Sequence, residues 1–97
     1  MTLDLGFVRQ QFPAFSEPSL RGWAFFENAG GSYASRQTIS HLTRFYTENK
    51  LQAYPHYGPG VRAGEAMANG FARMAGFLNV GADEVHIGPS TSQNTYV

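Results

Sequence analysis

The 97-residue chain has no cysteine, one lysine and one tryptophan, and its seven basic and seven acidic side chains cancel. Without cysteine there is no disulfide, no thiolate metal ligand and no sulfur nucleophile, a composition that fits a reducing compartment. Six of the seven cations are arginines scattered along the chain, so no basic stripe offers itself to a nucleic-acid backbone or an anionic membrane. No stretch approaches the ~20 apolar residues of a membrane span. Met1 to Val8 lacks the basic start and apolar run of a secretory signal. A cytoplasmic protein without nucleic-acid or membrane partners is the expectation. His41, His56 and His86 have no companion at metal-ligand spacing, so no metal site is expected. Lys50 follows Glu48 and Asn49 at an expected helix end, where a lysine complements the helix dipole and faces water, a poor setting for a nucleophile.

What is present is ordinary globular material, 42% hydrophobic. A domain of this size buries little more than about 60% of its unfolded surface, so any exposed apolar face matters to its stability. Thr2 or Asp4 is placed to cap a short helix reaching about Phe12, where Pro13 turns the chain out. Ser16 to Gly22 reads as loop. Trp23-Ala24-Phe25-Phe26 has the aromatic, apolar character of a buried strand, ended by Asn28-Ala29-Gly30-Gly31-Ser32. Ser35 is a natural N-cap for a helix to about Asn49, with Ile39, Leu42 and Tyr46 on one face.

Gln52 to Gly60 contains two prolines, two glycines, two tyrosines and His56, which is loop by composition and unusually aromatic. From Gly60 to Asn79, Val61, Gly64, Ala68, Phe71, Ala75 and Leu78 recur at helical spacing, opposite a face of Arg62, Glu65, Asn69 and Arg73. Gly64 and Gly70 each cost such a helix roughly 1 kcal/mol relative to alanine. Gly81-Ala82-Asp83 reads as a turn, Glu84 to Ile87 as a short strand, and Gly88-Pro89-Ser90 as the passage into another helix. That helix start is followed by barely one turn before Val97, which suits a piece of a longer protein.

Three places carry chemical possibilities beside plain structural ones. Ser90 and Gln93 stand at capping-box spacing, and the same turn gathers free N–H groups with the Thr91 and Ser92 hydroxyls, donors suited to a phosphate dianion. Asn28-Ala29-Gly30-Gly31 suits a simple turn, or a backbone that a ligand approaches closely beside the Asn28 amide. His56, between Pro55 and Tyr57, offers an imidazole for acid–base work or a carboxylate contact, beside the plainer reading of a solvated loop histidine.

In order along the chain, several motifs resemble the opening of the cysteine desulfurase-like branch of the class V aminotransferases. Phe12-Pro13-Ala14-Phe15 resembles that family's Phe-Pro-Ala-Leu, and Phe25-Phe26-Glu27-Asn28-Ala29-Gly30-Gly31 its strand followed by Asp-Asn-Ala. Pro55-His56-Tyr57-Gly58 falls where many members carry His-Arg-Gly. Glu84 to Asn94 stands in place of a strand and Gly-Thr-Thr-Glu with a following Asn. Glu27 for Asp, Gly30-Gly31 for Ala-Thr and Tyr57 for Arg mark a divergent subgroup.

The resemblance implies an α/β fold, the N-terminal fragment of a fold-type I enzyme dependent on pyridoxal 5'-phosphate (PLP). Residues 1–58 would form an arm contributing to the substrate pocket, and residues 59–97 the beginning of the large PLP-binding domain. It places Thr91, Ser92 and Gln93 at the PLP phosphate, and Asn28, Ala29 and His56 near an amino-acid substrate. The Schiff-base lysine of the relatives would lie beyond Val97, so no catalytic residue is assigned in this chain and the fragment is expected to be inactive alone. Cysteine desulfuration is the leading expectation. Transaminase, epimerase or kynureninase-like chemistry, and a non-catalytic module that binds an anion or a partner, are the alternatives. A homodimer is implied by the family alone.

Overall fold

The computed structural model describes residues 1–53 and 56–96. Its contacts divide the chain into two units, Met1–Thr47 and Glu48–Val97. Unit 1 holds helix α1 (Leu5–Gln10), short 3-10 turns at Pro13–Ser16, Pro18–Leu20 and Asn28–Gly30, and helix α2 (Arg36–Arg44), which widens into a π-helical turn at Phe45–Asn49 across the unit boundary. Unit 2 holds helix α3 (Gly58–Leu78), a 3-10 turn at Ala82–Glu84 and helix α4 (Thr91–Tyr96). No described helix is long and apolar enough to cross a membrane.

The helix starts lie where capping chemistry puts them. The Asp4 carboxylate accepts the Phe7 N–H at 2.9 Å, and the Ser35 hydroxyl accepts the Thr38 N–H at 3.3 Å, each satisfying a donor that the first helical turn leaves unpaired. In unit 1 the two helices are stitched end to start. Arg36 N–H donates to Gln11 O at 2.8 Å, Gln37 Nε2 donates to Gln11 Oε1 at 2.7 Å, and the Arg36 guanidinium donates to Gln10 O. A cation thereby meets the carbonyl end of α1, where the helix dipole is negative.

The α/β expectation is not met: no strand forms among the described residues. A strand is stable only when a neighbour takes up its backbone donors and acceptors, and the two expected strands go to local turns instead. Trp23 N–H donates back to Leu20 O at 3.2 Å, and the segment is not buried, since Trp23 is 73% and Phe26 92% exposed. Glu84 is drawn into the Ala82–Glu84 turn, where its carboxylate accepts the Gly81 N–H at 2.8 Å. Val85 is extended, with φ −106° and ψ 126°, but has no strand to pair with among the described residues.

Helix α3 matches the sequence pattern closely and begins two residues earlier than expected, with Pro59 in its first turn, where the missing N–H costs nothing. It ends at Asn79, which adopts the left-handed conformation with φ 58° and ψ 47°. There Val80 N–H donates to Ala75 O at 3.0 Å and Asn79 N–H to Gly76 O at 3.3 Å, the paired bonds of a Schellman motif. The end of α3 packs on the Ala82–Glu84 turn. Gly60, Gly64 and Ala75 are its buried residues, and Ala75, 4% exposed, is the buried apolar residue of the described chain.

Gly70 and Gly76 lie inside α3, and a Cβ added at either would meet nothing within 4 Å. Their cost to the helix is therefore uncompensated by packing in this chain. Replacing both with alanine is expected to stabilise α3 by about 1–2 kcal/mol in total, read as a rise in the thermal midpoint of the 97-residue chain by far-UV circular dichroism. An unchanged or lower midpoint would mean that these positions pack against something.

Candidate functional site

The expected phosphate ligands stand together at the start of α4. Ser90 is the cap, its Oγ accepting the Gln93 N–H at 3.1 Å. The expected capping box is only half formed, because the Gln93 carboxamide does not return to the Ser90 N–H. With Ser90 acting as cap, the Thr91 and Ser92 side chains are exposed, and their hydroxyls make no hydrogen bond to another described residue. Ahead of the helix, the Asn94 side chain folds against Gly88 so closely that a Cβ at position 88 would collide with it. A glycine is needed there for the chain to enter α4 with Asn94 turned back.

Asn28 and Ala29 sit in unit 1, in the Asn28–Gly30 turn, where Gly30 N–H donates to Glu27 O at 3.3 Å and Gly31 N–H to Asn28 O at 3.2 Å. Gly31 follows with φ 133° and ψ 150°, a region that only glycine occupies without strain. The Ser32 hydroxyl donates to Asn28 Oδ1 at 3.3 Å, which fixes the amide orientation and leaves Nδ2 as the unused donor among the described residues. Ala29 is exposed. His56 is exposed in unit 2, while Tyr54 and Pro55, part of the aromatic loop and of the Pro55-His56-Tyr57-Gly58 motif, lie outside the described residues, as does Val97. The phosphate group Thr91, Ser92 and Gln93 is thus local to one turn, whereas the substrate group is divided, with Asn28 and Ala29 in one unit and His56 in the other.

Sequence reasoning missed a cleft of about 910 Å³ in unit 1. Its residues run from Val8 to Tyr33 and include Asn28, Trp23 and both Arg9 and Arg21. The clustering of aromatic residues between positions 12 and 33 was the available signal, and reading Trp23–Phe26 as a buried strand concealed it. No group of three or more histidine, aspartate or glutamate side chains arranged to hold a metal occurs among the described residues.

Over 90 residues the sequence is 31% identical to the aminotransferase-like protein FGM3 of Gibberella zeae, a match that takes in 89% of this chain. The chain is similar to an aminotransferase-like protein. It spans 21% of that relative's length, so the likeness concerns about a fifth of the curated protein. No protein-family profile matches the chain, and no solved structure matches it.

Proposed function

We propose that this chain is part of a PLP-dependent enzyme acting on an amino acid, in which its share of the work is to hold the cofactor's phosphate. The observation that carries this reading is the similarity over 89% of the chain to an aminotransferase-like protein, and the motif order supports it. The donor set fits a phosphate dianion. The Thr91 and Ser92 hydroxyls are exposed and unengaged, and hydrogen bonds to an ionised phosphate are stronger than those between neutral groups. Gln93 adds a carboxamide whose N–H donors are likewise free among the described residues.

When bound, PLP supplies the electron sink for chemistry at the amino acid, and the protein supplies orientation and electrostatics. In this reading Thr91 and Ser92 anchor the phosphate, Asn28 Nδ2 donates to a substrate oxygen, Ala29 leaves room beside it, and His56 holds or moves a proton near the pocket entrance. The lysine that carries the cofactor comes from outside these 97 residues, as the family resemblance implies. The chain alone is inactive, and the whole protein works as a homodimer.

Cysteine desulfuration is the leading reaction, ahead of transamination, epimerisation or kynureninase-like cleavage. Protein expressed from the whole reading frame, supplied with PLP, L-cysteine and dithiothreitol as the two-electron reductant that carries the transferred sulfur to sulfide, is expected to release sulfide and form alanine. Turnover of another amino acid without sulfide would keep the PLP reading and replace the reaction. No PLP uptake and no turnover would overturn both and leave a non-catalytic anion-binding module.

A further inference from the structure

We propose that the unit 1 cleft, which includes the Asn28 that the PLP reading assigns to the substrate, is a binding site for a small aromatic carboxylate that needs no cofactor to bind. Its volume of about 910 Å³ lies within the roughly 300–1,000 Å³ typical of small-molecule pockets. The walls are aromatic and partly organised. Phe25 and Tyr33 meet edge to face with centroids 5.2 Å apart, and Phe12 and Phe15 do so at 6.5 Å. Trp23 also lines the cleft and keeps 73% of its surface exposed, so most of its surface is open to a ligand. Aromatic faces and edges in this arrangement accept a further planar ring by offset or edge-to-face stacking.

Charge selects the other half of the ligand. Arg9 and Arg21 line the cleft, and Glu17 is its one acidic residue. The Glu17 carboxylate is already engaged, accepting the Ser19 N–H at 3.3 Å and the Ser19 hydroxyl at 3.0 Å. The Arg9 guanidinium carbon sits 4.0 Å from the centroid of the Phe15 ring, a cation–π contact, and its N–H donors pair with no carboxylate among the described residues. The Arg21 side chain has neither a hydrogen-bond acceptor nor an ion-pair partner among the described residues. Two guanidinium forks beside stacked rings match a carboxylate attached to an aromatic group, since arginine binds carboxylates through paired, charge-assisted hydrogen bonds.

Trp23 is the one tryptophan of the chain, so its fluorescence reports this cleft alone. Phenylacetate titrated into the 97-residue chain, with no PLP added, is expected to change that fluorescence saturably. Acetate, which lacks the ring, and phenethyl alcohol, which lacks the charge, are each expected to bind about tenfold or more weakly. Arg21→Gln removes the charge from an exposed side chain with no partner to lose, so the fold is expected to persist while phenylacetate binding weakens about tenfold or more. Arg73→Gln, on α3 in the other unit, is expected to leave binding unchanged. Absence of a saturable response, equal responses to all three compounds, or an unaffected Arg21→Gln variant would overturn the proposal. So would a Trp23 signal that changes with protein concentration alone, which would assign the cleft to a second copy of the chain.

Discussion

Replacing Ala75 with aspartate is expected to unfold the α3 end of unit 2. Ala75 is 4% exposed in the last turn of α3, a helix that contacts the Ala82–Glu84 turn, with its carbonyl tied to the Val80 N–H at 3.0 Å. A carboxylate there would be taken out of water on a helix whose neighbouring turn carries Asp83 and Glu84. An unpaired buried charge costs several kcal/mol, roughly 2–5 in practice once the surroundings relax. Many large apolar side chains of this chain are exposed, among them Phe77 at 86% and Leu78 at 54%, so little other burial offsets the loss. Hydrogen exchange should show the amides of residues 75–80 losing their protection. Met74→Asp, one position away on a residue 42% exposed, should change stability by no more than about 0.5 kcal/mol. Equal effects from the two substitutions would mean that Ala75 anchors nothing.

The second large effect concerns Thr91 and Ser92. In protein from the whole reading frame, Thr91→Val combined with Ser92→Ala is expected to weaken PLP binding about 100-fold or more. Each hydroxyl bonded to a phosphate dianion contributes about 1.5–3 kcal/mol, and each 1.4 kcal/mol is a factor of ten. Both side chains are exposed and Ser90 performs the capping, so circular dichroism should be unchanged by the double substitution. Thr91→Ser, which keeps a hydroxyl, should retain most of the affinity. Ser90→Ala tests the opposite division of labour, since it removes the cap and should cost about 1 kcal/mol of helix stability with a smaller effect on PLP. A double variant that binds PLP like the parent would remove these residues from the cofactor's site.

The sequence was most legible where structure is decided locally. Asp4, Ser35 and Ser90 were readable as caps because a cap needs only a side-chain oxygen and the N–H three residues on. Helix α3 was readable from its apolar spacing, although its start moved to Gly58 because Pro59 is well suited to a first helical turn. Trp23–Phe26 and Glu84–Ile87 were misread for the complementary reason. Apolar, aromatic composition marks a segment that fits a sheet, but a strand exists only with a partner, and none is found among the described residues. The same limit governs the sites. Asn28 in its glycine-rich turn and Thr91-Ser92 beside a capping serine were visible as local groupings. The cleft was not, because it is made by returning Trp23, Phe25 and Tyr33 to the residues that follow α1.

The central claim is that this chain belongs to a PLP enzyme whose reactive lysine lies elsewhere. The most direct measurement is to load protein from the whole reading frame with PLP, reduce it with borohydride and map the modified peptide. The account predicts one labelled lysine, outside the sequence Met1 to Val97, and loss of the label in the Thr91→Val, Ser92→Ala variant at limiting PLP. Label on Lys50, or none on any lysine, would contradict it.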